Sequence, residues 1–411
     1  MSTFSVRATG PLRGRVRPPG DKSISHRALM LAALADGTSE VTGRSDGLDV
    51  RHTAGAITAL GAVIDGDRIT GSRLREPAGV VDVGNSGTAI RLLAGLVASQ
   101  PWTTTLRGDA SVDRRPMDRI ASPLRLMGAA VEDAYPPLVV HGGALRGIDY
   151  RSPVASAQVK SCVLLAGLGA EGDTIVREDA PTRMHTEEML AAAGADIETG
   201  DGWARVRRST LQPFSLDVPC DPSQAAFWVV AASIISGSEV MVERVYVGPG
   251  RAGFLDVLRR MGADIDLISL DATTADIVVR GTKLRATTVE AEEVPGLIDE
   301  VPILAVAASL AEGTTRFEGV HELRVKESDR LATTTALIQA LGASASHDED
   351  SLEVVGAGRL SGGVVNSHGD HRIAMAAAVA GLAGDGVRVQ GWDAVATSYP
   401  RFEADLRSCA S

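Results

Sequence analysis

Aromatic side chains make up only 3% of this 411-residue chain, and there are three cysteines. An odd number of cysteines without paired spacing excludes a disulfide framework and suggests a reducing compartment. No apolar run approaches the roughly 18 residues of a membrane span, and the N-terminal MSTFSVRATG lacks the apolar stretch of a secretory signal. The expectation is a cytoplasmic protein. Positive charge is also in deficit. A net charge of −11 argues against general binding to nucleic acid or to membrane surfaces, so an anionic ligand must be held by a local cluster of bases. No His/Cys spacing resembles a metal site, no GxGxxG opens a βαβ unit, and neither GxxxxGK[ST] nor GxSxG occurs. These absences point away from a bound metal, a dinucleotide, a P-loop nucleotide and a serine hydrolase.

What is present is a soluble, globular composition, 44% apolar and 23% charged, in a chain long enough for two or three domains. It repeats itself. LGAVI at Leu60, MGAAV at Met127, AGADI at Ala193, MGADI at Met261 and LGASA at Leu341 place glycine at 61, 128, 194, 262 and 342, at spacings of 67, 66, 68 and 80 residues. Each phrase reads as a helix closed by a C′ glycine and followed by a strand. Upstream of each lies an Ala/Leu-rich helix, a turn and a β-rich stretch, as in HRALMLAALADGTSEV. Six such copies predict an α/β chain of two lobes with three units each, the last truncated by the C-terminus. The boundary falls near LDVPCDPS at Leu216, and a second crossover is expected at RVRPPG. Residues 1–17 and 221–411 then form lobe I, carrying both termini, and 18–220 form lobe II, with hinges near 15–20 and 216–222.

The first helix of each copy starts with polar residues that packing does not require: DKSISHR at Asp21, GNSGTAIR at Gly84, SAQVK at Ser156, CDPSQ at Cys220, IDE at Ile298 and GDHR at Gly369. Free N–H groups and the positive dipole end of a helix bind anions, and adjacent Lys and Arg reinforce them. Six such starts facing one cleft would hold a pair of anionic ligands. Two basic loops add to this: DASVDRRPMDR with Arg114, Arg115 and Arg119, and ELRVKESDR with Arg324, Lys326, Glu327 and Arg330. Spacing alone reads the second equally well as a solvated helix face laced by i,i+4 pairs. Cys162 is expected in the core, Cys220 in a structural position and Cys409 near a fraying end. His26 is expected to pack or cap, and His52 and His141 to have only surface or packing roles.

GDKSISHRA, GNSGTAIRLLAG, GDASVDRRPM, SAQVKS, LRVKESDR and DHRIAM, in this order over nearly the whole chain, resemble the 5-enolpyruvylshikimate-3-phosphate synthase family of enolpyruvyl transferases. The resemblance implies a two-lobed inside-out α/β barrel of six βαβαββ repeats, three per lobe. It implies transfer of the enolpyruvyl group of phosphoenolpyruvate to the 5-hydroxyl of shikimate 3-phosphate, without metal or organic cofactor, by a family that is the target of glyphosate. By the same resemblance Lys22, Ser23 and Arg27 contact the substrates, with Lys22 bridging both. Asn85, Gly87, Arg115, Gln158, Arg330 and Arg372 hold phosphoenolpyruvate. Ser156, Ala157, Gln158, Arg183, Asp299 and Lys326 hold shikimate 3-phosphate. Glu327 is assigned as the acid that protonates C3, and Asp299, alone or with Lys22, as the base. Thr397 in ATSYP stands where the better-known branch of the family has Lys, and Gly87 is the position where bulk would exclude glyphosate. UDP-N-acetylglucosamine enolpyruvyl transferase would need Lys-Asn in the first loop and a loop cysteine in DASVDRRPM, and has neither here. A non-catalytic anion-binding module predicts loss of the acid–base carboxylates, yet Asp299 and Glu327 are present. The lobes are expected to close on substrate, and the protein to be a monomer.

Overall fold

In the computed structural model, which describes residues 2–7, 10–132 and 134–409, the chain forms two compact units, Met1–Pro19 with Pro219–Ser411, and Gly20–Val218. Among the described residues there are five four-stranded sheets and one three-stranded sheet. The second copy illustrates the plan. Strand Val81–Asp82 leads into helix Gly87–Ala98 and returns as Thr103–Arg107, parallel to it. Helix Asp118–Met127 follows, then the antiparallel pair Ala130–Glu132 and Leu138–His141, whose second strand lies against Thr103–Arg107. This is a βαβαββ unit.

Three sheets borrow an edge strand from a distant stretch of chain. Arg13–Val16 runs parallel to Glu239–Tyr246 in the first unit, and Ser215–Asp217 runs parallel to Gly37–Thr42 in the second. The sixth copy lacks a hairpin of its own. Thr3–Val6 takes that place, antiparallel to Val387–Gln390, and the chain ends in helix Phe402–Cys409. The glycines of the five recurring phrases all have φ between 78° and 111°, a region that side chains with a Cβ rarely adopt. Each helix therefore stops where the repeat requires it.

The first helix of each copy is buried almost all round: Lys22–Leu34, Gly87–Ala98 and Ala157–Gly167 in one unit, Pro222–Ile234, Val301–Leu310 and His371–Ala383 in the other. A helix without a solvent face needs no polar stripe, and small residues let backbones approach. At Gly95 a Cβ would lie 2.1 Å from the carbonyl oxygen of Cys162 on the neighbouring helix. The scarce aromatics are pooled: Phe4, Phe227, Trp228, Trp392, Tyr399 and Phe402 form one ring cluster in the first unit, with centroids 4.2–6.2 Å apart. Cys162 is a core residue whose thiol burial pushes up to about 12. Cys220 is buried too, its thiol raised to about 11 by burial. Cys409, expected at a fraying end, is instead buried in the last turn of its helix. His26 is buried, bonded through Nδ1 to Thr53 Oγ1 at 2.7 Å, and burial with Lys22 and Arg27 nearby keeps its imidazole below its ordinary pKa. It is a packing residue.

Close helix contact at Gly95 makes a direct prediction. Gly95→Ala is expected to lower stability by about 1–3 kcal/mol through overpacking against backbone. Gly55→Ala, in the exposed face of helix Leu48–Ala59 with open space around it, is expected to raise stability by about 0.5–1 kcal/mol. Urea unfolding midpoints of the two variants should move in opposite directions.

Candidate active site

All six polar helix starts read from the sequence are helix starts in the structure. In the Gly20–Val218 unit, Asp21 caps the first of them by accepting from the Ile24 N–H at 2.8 Å. Lys22, the first helical residue, pairs through Nζ with Asp49 Oδ2 at 2.8 Å, in surroundings that leave their side chains 16% and 6% exposed. Arg27, one turn on, is buried. Its guanidinium donates to Thr186 Oγ1 (2.7 Å), Ser161 Oγ (2.6 Å) and the Ser23 carbonyl (3.0 Å). Arg183 Nη1 donates to Ser23 Oγ at 3.2 Å. Ser23, Arg27 and Arg183 thus meet, although Arg183 comes from a loop 160 residues away.

The Gly87 start is capped by Ser86, which accepts from the Ala89 N–H at 3.1 Å. A Cβ at Gly87 would sit 2.4 Å from Arg115 Nη1, so the absence of a side chain lets Arg115 lie across this helix end. Asn85 precedes the cap, half-buried. The Ala157 start is capped by Ser156, whose hydroxyl accepts from the Val159 N–H at 3.4 Å. Gln158 is oriented at both ends of its amide: Arg91 Nη1 donates to Oε1 at 2.8 Å, and Nε2 donates to Thr88 Oγ1 at 2.9 Å. Arg91 was not among the residues singled out from the sequence. Its position in GTAIR, one turn after Gly87, is the only signal that pointed to it.

In the other unit, Asp299, Lys326, Glu327, Arg330 and Arg372 are brought into one network. The segment ELRVKESDR is not a solvated helix face. A 3-10 turn His321–Val325 ends before Lys326, and a new helix, Arg330–Ala340, begins with Asp329 as its cap. This seventh functional helix start was missed because its motif reads as a charge run. Arg330 is 1% exposed and surrounded by carboxylates: Asp370 Oδ2 at 2.8 Å, Asp299 Oδ1 at 3.1 Å, and Glu327. Burial opposes its charge, but Asp370, Glu327 and Asp299 outweigh burial and hold the guanidinium above its ordinary pKa. Burial also opposes charge on Asp370, yet Arg330 keeps that carboxyl below the ordinary range. Asp299 sits among three cations, with Lys326 Nζ at 3.6 Å and Arg372 Nη2 at 3.9 Å in addition to Arg330. Arg372 also donates to the Asp299 carbonyl at 2.9 Å.

Behind Arg372 lies a layer built from the IDE and CDPSQ helix starts and from Arg251, to which no motif pointed. Glu300 is 1% exposed, 3.5 Å from Arg372 Nη1, and accepts from the Ser223 hydroxyl. Burial raises its carboxyl above the ordinary range. Arg251 donates to Ser223 Oγ at 3.3 Å and to the cap Asp221 at 2.9 Å. Among the described residues no group of three or more His, Cys, Asp or Glu is placed to hold a metal ion, and no helix is long and apolar enough to cross a membrane.

Chemically, one unit offers hydroxyls, guanidinia and helix N-termini suited to phosphate and carboxylate. The other offers buried guanidinia beside two partly accessible carboxylates, suited to anion binding and proton transfer. The family model for EPSP synthase (3-phosphoshikimate 1-carboxyvinyltransferase) matches residues 6–406. The chain is 48% identical to the 3-phosphoshikimate 1-carboxyvinyltransferase of Halorhodospira halophila, over 98% of this chain and 95% of that one. It is 45% identical to the enzyme of the same name from Alkaliphilus metalliredigens, over 97% of each. Among solved structures, EPSP synthase from Acinetobacter baumannii superposes with a TM-score of 0.88 at 39% identity, covering 100% of this chain and 98% of that one. The enolpyruvyl transferase NikO from Streptomyces tendae, at 18% identity and a TM-score of 0.78 over 98% and 96%, shares the fold. By sequence, fold and the composition of both clusters, the chain belongs to the EPSP synthase family, the 3-phosphoshikimate 1-carboxyvinyltransferases.

Proposed function

We propose that the two clusters divide the work of the family's reaction, the transfer of the enolpyruvyl group of phosphoenolpyruvate to the 5-hydroxyl of shikimate 3-phosphate with release of phosphate. The observation that carries this reading is Arg330, a buried guanidinium shared by three carboxylates, two of which are the acid and base candidates.

Ser23, Arg27, Ser156, the Ala157 N–H, Gln158 and Arg183 hold shikimate 3-phosphate. The hydroxyls, the free N–H groups and the guanidinia take the phosphate, and the doubly anchored Gln158 packs on the ring. Asn85, Gly87, Arg115, Gln158, Arg330 and Arg372 hold phosphoenolpyruvate. Lys22, whose ammonium is paired with Asp49, bridges the anionic groups of both substrates. Of the two candidates for the base, we take Asp299, a partly accessible carboxylate. Lys326 and Asp299 receive the shikimate hydroxyls.

Phosphoenolpyruvate brings its own negative charge to Arg330 and competes there with Glu327. Displaced from the guanidinium, Glu327 loses the counter-charge that favours its ionised form and can carry a proton. It then gives that proton to C3 while O5 of shikimate 3-phosphate bonds to C2, and Asp299 takes the proton from O5. The tetrahedral product carries both oxygens on C2. Breaking the C2–O bond to phosphate, whose departing oxygen takes the proton held by Asp299, and returning one proton from the C3 methyl to Glu327 yields the enol ether, phosphate and both carboxyl groups in their starting forms. Arg115, Arg330 and Arg372 stabilise charge as it gathers on the departing phosphate.

Two experiments follow from these roles. Asp299→Asn should lower kcat by about 10²- to 10⁴-fold while both substrates still bind in calorimetry, and near-full turnover in that variant would remove Asp299 as the base. Gly87→Ala places a methyl group against Arg115 Nη1, and should raise the KM for phosphoenolpyruvate about 10-fold or more with much of kcat kept. An unchanged KM would mean that Arg115 does not contact this substrate.

A further inference from the structure

The SAQVK motif contributes Ser156, Ala157 and Gln158 to the site, but its lysine has no part in the chemistry above. Lys160 is 3% exposed on the otherwise apolar flank of helix Ala157–Gly167. Its Nζ lies 2.6 Å from Glu178 Oε2 and 2.8 Å from Glu187 Oε1, and those side chains are only 5% and 3% exposed. The two carboxylates flank one irregular segment. Glu178 follows strand Thr174–Arg177, and Glu187 sits in the first turn of helix His185–Ala192. The loop 178–184 between them carries Arg183. Thr182, next to Arg183, donates to the second oxygen of Glu178 at 2.5 Å. Ser161, the neighbour of Lys160, is hydrogen-bonded to Thr186 at 2.6 Å and receives Arg27. The two polar residues in the middle of this helix therefore both address the same loop and its exit.

A buried ion pair is a poor source of net stability, because desolvation consumes most of the Coulombic gain, while an apolar residue of similar volume would serve as well. What an ammonium held by two carboxylates provides is a defined geometry. We propose that Lys160 is a positioning residue: by holding Glu178 and Glu187 at the two ends of the loop, it sets the place of Arg183 against the phosphate of shikimate 3-phosphate. This rests on the role given above to Arg183.

The test is a double-mutant cycle of Glu178→Gln and Arg183→Ala, read by steady-state kinetics with thermal melts as a check of folding. Glu178→Gln leaves Lys160 paired one-to-one with Glu187 and loosens the start of the loop. The expected result is a KM for shikimate 3-phosphate raised about 10-fold, with kcat and the KM for phosphoenolpyruvate changed by roughly twofold or less. In the Arg183→Ala background the same substitution should have no further effect, because the group it positions is gone. A folded Glu178→Gln enzyme with an unchanged KM overturns the proposal, as does an equal rise in KM in both backgrounds, which would be a general structural effect. An Arg183→Ala enzyme with an unchanged KM overturns the role of Arg183 itself, and the proposal falls with it. Should Glu178→Gln fail to fold, Thr182→Val removes only the hydroxyl that ties the loop to Glu178 and carries the same expectations.

Discussion

A helix buried on all sides has only its ends to offer. Each unit of this protein encloses three Ala- and Gly-rich helices whose lateral surfaces are taken up by packing, down to the contact of Gly95 with the Cys162 carbonyl. The N-termini retain backbone N–H groups that the helices themselves cannot satisfy. Polar side chains concentrate there, and the few that lie further along a helix, such as Arg27, Lys160 and Ser161, are each held by a hydrogen bond or an ion pair. The fold thus leaves polar helix ends suited to anions as a by-product of how it builds its core, and the proposed chemistry draws on them.

Cations at such ends oppose the helix dipole. The structure offsets this by giving several of them a carboxylate or hydroxyl partner within the same unit: Asp49 for Lys22, Asp370 for Arg330, Ser161 and Thr186 for Arg27. These partners also set the rotamers of the cations in advance, as the proposed binding of anionic substrates requires. Asp370 is bound to Arg330 in a fully buried pair, whereas Glu327 on the same guanidinium is 22% exposed. The buried carboxylate is suited to fixing the arginine, and the accessible one to reacting.

The helix starts were legible in the sequence because capping residues, a following apolar run and a closing glycine are local signals, and the sixfold recurrence of an Ala/Leu-rich helix, a turn and a β-rich stretch set the copy number. ELRVKESDR was not legible in that way. Its alternating charges are compatible with a solvated face, and only the fold reveals that Asp370 and Asp299 converge on Arg330. The partners of the motif residues were invisible for the same reason: Asp49 is 27 residues from Lys22, and Asp299 is 73 from Arg372. Neither distance matches a helical or strand period. The lysine of SAQVK stood in plain sight, but the two glutamates that give it a role lie beyond a strand and a loop. The edge strands Arg13–Val16 and Ser215–Asp217 show the same limit, since a short strand carries no record of which distant sheet it joins.

The central claim is that Glu327, released from Arg330 by the substrate's own charge, delivers the proton to C3 of phosphoenolpyruvate. Isotope incorporation tests it most directly. With both substrates in D2O, the native enzyme should place deuterium on C3 of the product and of recovered phosphoenolpyruvate, because the methyl group of the tetrahedral intermediate loses either isotope. Glu327→Gln should bind both substrates and incorporate essentially none over the same interval. Deuterium entering C3 at the native rate in that variant would contradict the account and require another acid.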